Sequence, residues 1–142
     1  MTVATILAGK SGDTVTITAD HKVADAIKLL ADRRIGAVPV MQDGRVAGIF
    51  SERDVIHCLA EYGSAGLNRS VGDAMTAPAI TIGRDEAALG ALTLMTRRRV
   101  RHLPVVEGEA LIGFVSIGDL VKYRIDRIEA DAEAMRNYIQ TA

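Results

Sequence analysis

One spacing in the 142-residue chain carries a chemical suggestion, and it occurs twice. Gly48-Ile49-Phe50-Ser51-Glu52-Arg53-Asp54 reads Gly-x-x-Ser-x-x-Asp, and so does Gly113-Phe114-Val115-Ser116-Ile117-Gly118-Asp119. Each copy stands where an apolar, strand-like run gives way to a helical pattern. Two readings fit it. Ser-x-x-acid is a capping box, in which hydroxyl and carboxylate satisfy the free N–H groups that open a helix, at about 1 kcal/mol per cap. The same geometry suits a nucleotide. A helix N-terminus presents N–H groups and a positive dipole end to a phosphate. The hydroxyl adds a donor, and a carboxylate three residues on can receive the hydroxyls of a ribose, as in dinucleotide sites. The preceding glycine leaves room for close approach to the backbone. From the motif alone the two readings stand level.

Catalytic and metal chemistry find no constellation. His21, His57 and His102 are not at metal-ligand spacings, and Cys58 stands alone on an apolar helix face, where packing is its expected role. Neither a G-x-x-x-x-G-K phosphate loop nor a G-x-G-x-x-G occurs. No catalytic residue and no metal site is expected. Seventeen Lys plus Arg against eighteen Asp plus Glu give a formal charge of −1, against the basic balance that nucleic-acid binding asks for. Aromatic residues are 4% of the chain, so base-stacking platforms are scarce. No apolar run spans a bilayer, and Met1-Thr2-Val3-Ala4 lacks the basic start of a secretory leader. The single cysteine excludes an internal disulfide and fits a reducing cytoplasm. A hydrophobic fraction of 49% supports a packed core.

The elements that must position the motif are themselves duplicated. A shift of 65 residues lays Thr16-Ile17 on Thr81-Ile82, Asp20 on Asp85, and Ala26 and Leu29 on Ala91 and Leu94. It lays Arg33-Arg34 on Arg98-Arg99 and Pro39-Val40 on Pro104-Val105. Two copies make a pseudo-symmetric pair and not a solenoid. Each copy reads β-α-β-β-α. In the first, Val15 to Thr18 alternates as a short strand, Asp20 offers an N-cap, and Val23, Ala26, Ile27, Leu30 and Ala31 follow at helical spacing. Strands over Ile35 to Met41 and Val46 to Phe50 flank the Asp43-Gly44 turn, and a helix runs from Ser51 to about Tyr62. The second copy expects a strand at Ile80 to Ile82, a helix over Asp85 to Arg99, strands over Val100 to Val106 and Leu111 to Val115, and a helix from Ser116. Pro39 and Pro104 imply an edge or a bulge. Arg97-Arg98-Arg99 closes a helix, where cations suit the dipole. Unit one is placed at residues 1–62, a linker at 63–70, unit two at 71–124 and a helical extension at 125–142. In that extension Val121, Ile125, Ile128, Ala132, Met135 and Ile139 form a heptad-like seam, expected to dock on a second subunit.

Two β-α-β-β-α copies, each with a Pro-Val strand and a closing Gly-x-x-Ser-x-x-Asp, resemble a tandem pair of CBS domains, the cystathionine β-synthase module, of the stand-alone bacterial and plant-organelle type. The resemblance runs from about Met1 to Arg124. It implies an α+β fold in which two pseudo-symmetric units pack into one Bateman module, with clefts between them for AMP, ADP, ATP, S-adenosylmethionine or NAD. By the same resemblance Asp119 and Asp54 hold ribose, and Ser116 and Ser51 sit near ribose or phosphate. Val15, Ile35, Gly36 and Ala37 line the base of one cleft, with Ile80, Val100, Arg101 and His102 as counterparts in the other. Arg101-His102, Lys10 and Arg53 are the expected phosphate contacts. The cleft of Ser116 and Asp119, with Lys10 and the small Gly36 and Ala37, is expected to bind more tightly than that of Ser51 and Asp54. The implied function is a non-enzymatic, homodimeric sensor in the cytoplasm that regulates an unidentified protein, without metal, membrane or nucleic acid. A ligand-free dimerisation module and a small nucleotide-directed enzyme are the competing readings.

Overall fold

Apolar residues at Val3, Ile6 and Leu7 recur at the i, i+3, i+4 spacing of a helix face, and the chain opens with helix α1, Val3–Gly9. The computed structural model describes residues 1–10 and 12–141. Strand β1, Ile17–Thr18, leads to α2, Val23–Arg33, and then to the hairpin of β2, Ala37–Gln42, and β3, Arg45–Ser51. Helix α3, Glu52–Tyr62, is followed by a 3-10 segment, Gly63–Asn68, and the single turn α4, Val71–Ala74. The second copy supplies α5, Ala88–Arg98, the hairpin of β4, His102–Glu107, and β5, Ala110–Ser116, and the 25-residue α6, Ile117–Thr141.

The first sheet runs β1-β2-β3, with β1 parallel and β3 antiparallel to β2. The second sheet is the β4–β5 pair, and the strand expected at Ile80 to Ile82 is a single parallel bridge from Ile82 to Val105. Pro39 therefore lies on a central strand and not at an edge. Its partner Ile49 directs both its N–H and its C=O away from β2, to Thr76, at 2.9 Å each. The Pro39–Ile49 pair thus asks no N–H of the proline. The bulge comes next, between Val40 and Met41, and recurs between Val105 and Val106.

The caps differ in part from expectation. Asp20 does not cap α2, because its carboxylate accepts the hydroxyl of Thr18; the N-cap is Lys22, whose N–H donates to Asp25 Oδ2 at 3.3 Å. Helix α5 starts at Ala88 rather than Asp85. Arg34 and Arg99 close α2 and α5 in the left-handed conformation at φ 54° and 55°. Arg97 and Arg98 occupy the last turn of α5, where cations suit the dipole.

Two apolar clusters hold the fold, and each takes a helix from the other copy of the repeat. Val3 and Ile6 of α1 are buried with Ile82, Ala91, Met95, Leu103, Val105, Val115 and Leu120 of the second copy. Val71 of α4 is buried with Val23, Ala26, Leu30, Val38, Val40, Phe50 and Cys58 of the first. Fully burying one such side chain is worth about 1.5–3 kcal/mol, so these exchanged helices fasten the copies to each other. The segment expected as a linker is packed as well: a Cβ on Gly66 would meet Cys58 Sγ at 2.9 Å.

Candidate functional site

Strand β3 ends at Ser51, whose extended backbone (φ −128°, ψ 169°) turns the chain into α3. Its N–H donates to Asp54 Oδ2 at 2.8 Å, its hydroxyl to the same oxygen at 3.1 Å, and Asp54 N–H returns a bond to Ser51 Oγ at 3.4 Å. The remaining oxygen, Oδ1, accepts from Thr76 Oγ1 at 2.8 Å. The second copy repeats the box: Ser116 N–H donates to Asp119 Oδ2 at 2.8 Å and Asp119 N–H to Ser116 Oγ at 3.1 Å. Both motifs are therefore capping boxes. A carboxylate offers about four lone-pair sites, so Asp54 can still accept one further hydroxyl.

The motif glycines have a different reason from the one expected. A Cβ on Gly48 would lie 2.6 Å from the Thr76 carbonyl oxygen, and one on Gly113 would lie 2.5 Å from Leu7 Cδ2. The space beside each is filled by the protein itself, by the segment after α4 in one copy and by α1 in the other. These glycines admit a packed segment and not a ligand.

A cavity of about 370 Å³ opens in front of the first box, within the roughly 300–1,000 Å³ of small-ligand sites. One wall is Gly36, Ile49, the Ser51–Asp54 turn and Ile56. The facing wall is Arg99, Val100, Arg101 and His102 of the second copy. The segment joining the copies contributes Thr76, Pro78, Ala79 and Ile80. Of the residues singled out in the sequence, Gly36, Ser51, Arg53, Asp54, Ile80, Val100, Arg101 and His102 thus meet at one place. Thr76, Arg99, Ile49 and Ile56 join them without a sequence signal beyond their place beside the motif or the repeat's arginine pair.

The others lie elsewhere. Val15 and Ile35 pack against the core cluster of the first copy, and Ala37 is buried. Lys10 Nζ donates to Asp119 Oδ2 at 2.8 Å and to the Phe114 carbonyl at 2.7 Å. Lys10 is therefore the partner of the motif carboxylate in the second copy, where a phosphate contact was expected. The expected division between clefts fails on the same geometry, since Gly36 opens on the Asp54 cavity and not beside Asp119.

Two ionisations are displaced at and beside the motifs, those of Asp119 and His102. Burial pushes the Asp119 carboxyl up, but the Lys10 ammonium and the Ser116 N–H and hydroxyl outweigh it, and the net shift is downward from 3.8. His102 is lowered from 6.5, chiefly by burial, with Lys10 and Arg101 acting in the same direction and Asp119 and Glu52 opposing. Its ring stacks on Phe114 with centroids 5.4 Å apart. The second wall thus carries two permanent cations and one imidazole whose neutral form is favoured by burial. Among the described residues no cluster of three His, Cys, Asp or Glu is arranged to hold a metal, and no helix is long and apolar enough to cross a membrane.

Comparison with known proteins agrees with this architecture. The mitochondrial CBS domain-containing protein CBSX3 of Arabidopsis thaliana is 35% identical over 139 residues, covering 93% of this chain and 68% of that one. The CBS-domain protein ATU1752 of Agrobacterium tumefaciens superposes with a TM-score of 0.82 at 40% identity, covering 87% and 92% of the two chains. CBSX2, solved in complex with AMP, superposes at 0.76 with 25% identity, covering 88% and 96%. The CBS domain family itself matches residues 10–61 and 71–126, one stretch for each copy of the repeat. The chain belongs to the CBS-domain family, as a pair of CBS domains.

Proposed function

We propose that the protein is a non-enzymatic regulatory module that binds an adenine nucleotide of the AMP type in the cavity beside Asp54. The observation that carries this reading is the composition of the two walls. One presents a helix N-terminus and a carboxylate with a free acceptor site; the other presents Arg99, Arg101 and His102. Asp54 takes a ribose hydroxyl. The opening turn of α3, Arg53 and Arg101 take the phosphate, where charge-assisted bonds are roughly twice as strong as neutral ones. Ile49, Ile80 and Val100 supply the apolar flank for the base. The AMP complex of CBSX2 supports this ligand class.

Regulation follows from where the walls come from. The cavity draws on both copies and on the segment between them, so a ligand binds one relative arrangement better than others and shifts the population toward it. That arrangement is what a regulated protein reads. On this reading the protein acts in the cytoplasm as a homodimer of four CBS units in a flat disc, with no nucleic acid or membrane as partner, and the buried Cys58 stays reduced.

A second reading, a dimerisation module without ligand, has one observation in its favour: both motif carboxylates already serve as caps. Thermal denaturation separates the two. At 100 times its Kd a ligand adds about 2.7 kcal/mol, a rise of roughly 10 °C for a chain of this size. No shift with AMP, ATP, NAD or S-adenosylmethionine at millimolar concentration leaves only the second reading.

A further inference from the structure

Helix α6 leaves the body early. Leu120 is buried, Tyr123 is half-buried, and every described residue from Arg124 to Thr141 is exposed. Eighteen such residues project about 27 Å. Along them runs the seam Val121, Ile125, Ile128, Ala132, Met135 and Ile139, and its large members are 43% to 67% exposed. Spacings of 4, 3, 4, 3 and 4 make Val121, Ile128 and Met135 heptad d positions, and Ile125, Ala132 and Ile139 a positions. Val121 follows Leu120 by about 100° around the helix, so the seam faces sideways while α6 keeps its contact with the body.

The flanking charges choose the occupant. Arg124 and Asp131 fall at g, and Lys122, Glu129 and Arg136 at e. In a parallel, in-register pair a g residue faces the e residue five positions on in the other helix. Arg124 then meets Glu129 and Asp131 meets Arg136, each twice by symmetry, and all four pairs attract. In an antiparallel pair over the same seam e faces e and g faces g. Lys122 then meets Arg136, Glu129 meets Glu129 and Asp131 meets Asp131, and all of these repel. Arg124 and Glu129 form no ion pair within the chain among the described residues, so both are available to a partner. We infer that α6 pairs in parallel and in register with α6 of a second copy of this chain, setting the second CBS unit of one copy beside the second unit of the other.

The seam falls short of the three to four heptads of a free-standing coiled coil. Leu89 of α5, exposed beside Arg124 and Arg127 in a cavity of about 260 Å³, extends apolar surface along the same side of the body. The pairing deepens the dimer reading and is independent of nucleotide binding. Spin labels at Ala130→Cys and, separately, Asn137→Cys lie off the seam, and Cys58 is buried and does not compete. Parallel pairing predicts the same short interspin distance at both sites. Antiparallel pairing about Ala130 predicts a short distance there and a clearly longer one at Asn137, where the two labels are offset by a further ~21 Å along the helix axis. Unequal distances within a dimer overturn the pairing and leave the dimer standing; absence of dipolar coupling at both sites overturns both. Reversal by Arg124→Glu is expected to weaken dimerisation about tenfold, and adding Glu129→Arg to restore it. A double variant as weak as the single one also overturns the pairing.

Discussion

Replacing Gly48 and Gly113 by alanine should have unequal costs, although the two glycines occupy equivalent places in the repeat. At Gly48 the added methyl meets the Thr76 carbonyl oxygen at 2.6 Å and Met75 Sδ at 2.8 Å. The oxygen is backbone, and it accepts the 2.9 Å bond from Ile49 N–H, while Thr76 N–H donates back to Ile49 at 2.9 Å. Relief requires the segment after α4 to move off β3, which strains both bonds. Overpacking costs about 1–3 kcal/mol, and each bond about 0.5–1.5 kcal/mol. Gly48→Ala is therefore expected to lose about 3 kcal/mol. At Gly113 the obstacle is the end of Leu7, with Cδ2 at 2.5 Å and Cδ1 at 2.8 Å. A side-chain terminus can turn aside, so about 1 kcal/mol is expected. At about 4 °C per kcal/mol, the melting points should fall by about 12 °C and 4 °C. Urea denaturation of both variants gives the free energies directly. Equal losses would refute the distinction between a backbone and a side-chain obstacle, and a Gly48→Ala protein as stable as the parent would show that this glycine does not serve packing.

Deleting residues 1–9 should destabilise the second unit, because the burial of Val3 and Ile6 is lost, at about 1.5–3 kcal/mol each; hydrogen exchange should show β4 and β5 losing protection before β2 and β3. Lys10→Met should cost under about 1 kcal/mol in chemical denaturation, since its pair with Asp119 is partly solvated. His102 has a folded pKa below 6.5, so its neutral form favours the fold; stability is complete above 6.5 and declines as pH falls from there through the lower folded value. Asp119 is lowered below 3.8 and adds a second decline as pH falls below that value. Denaturation midpoints against pH should show both steps, and His102→Gln should remove only the upper one.

Much of the fold was legible because it is written twice. The hairpins, the arginine-terminated helices α2 and α5, and the Ser-x-x-Asp entries to α3 and α6 follow from local patterns that recur at the same shift, whereas the left-handed conformation of Arg34 and Arg99 carries no sequence signal. Helix α1 escaped this reading, although Val3, Ile6 and Leu7 lie at helical spacing and Ile6 matches Val71 of α4 under the same shift. Its stability comes from burial in the other copy's core, which no local signal records. The bulges expected of Pro39 and Pro104 are present one residue on, but Pro39 is not at an edge: whether a central strand tolerates proline depends on which partner groups point toward it, and Ile49 points elsewhere. At the site, the motif identified Ser51 and Asp54, but composition could not show that Lys10 is taken up by Asp119 or that Thr76 reaches Asp54. Those are contacts between distant segments, set by how the two copies meet.

Calorimetric titration of the intact protein and of Asp54→Asn with AMP tests the central claim most directly. Asn keeps the size of the side chain and can still cap α3, so the fold should survive. The account predicts measurable heat with the intact protein and an affinity at least tenfold weaker with Asp54→Asn, since the lost hydroxyl contact is charge-assisted. No heat with the intact protein, or equal affinity in the two, would contradict it.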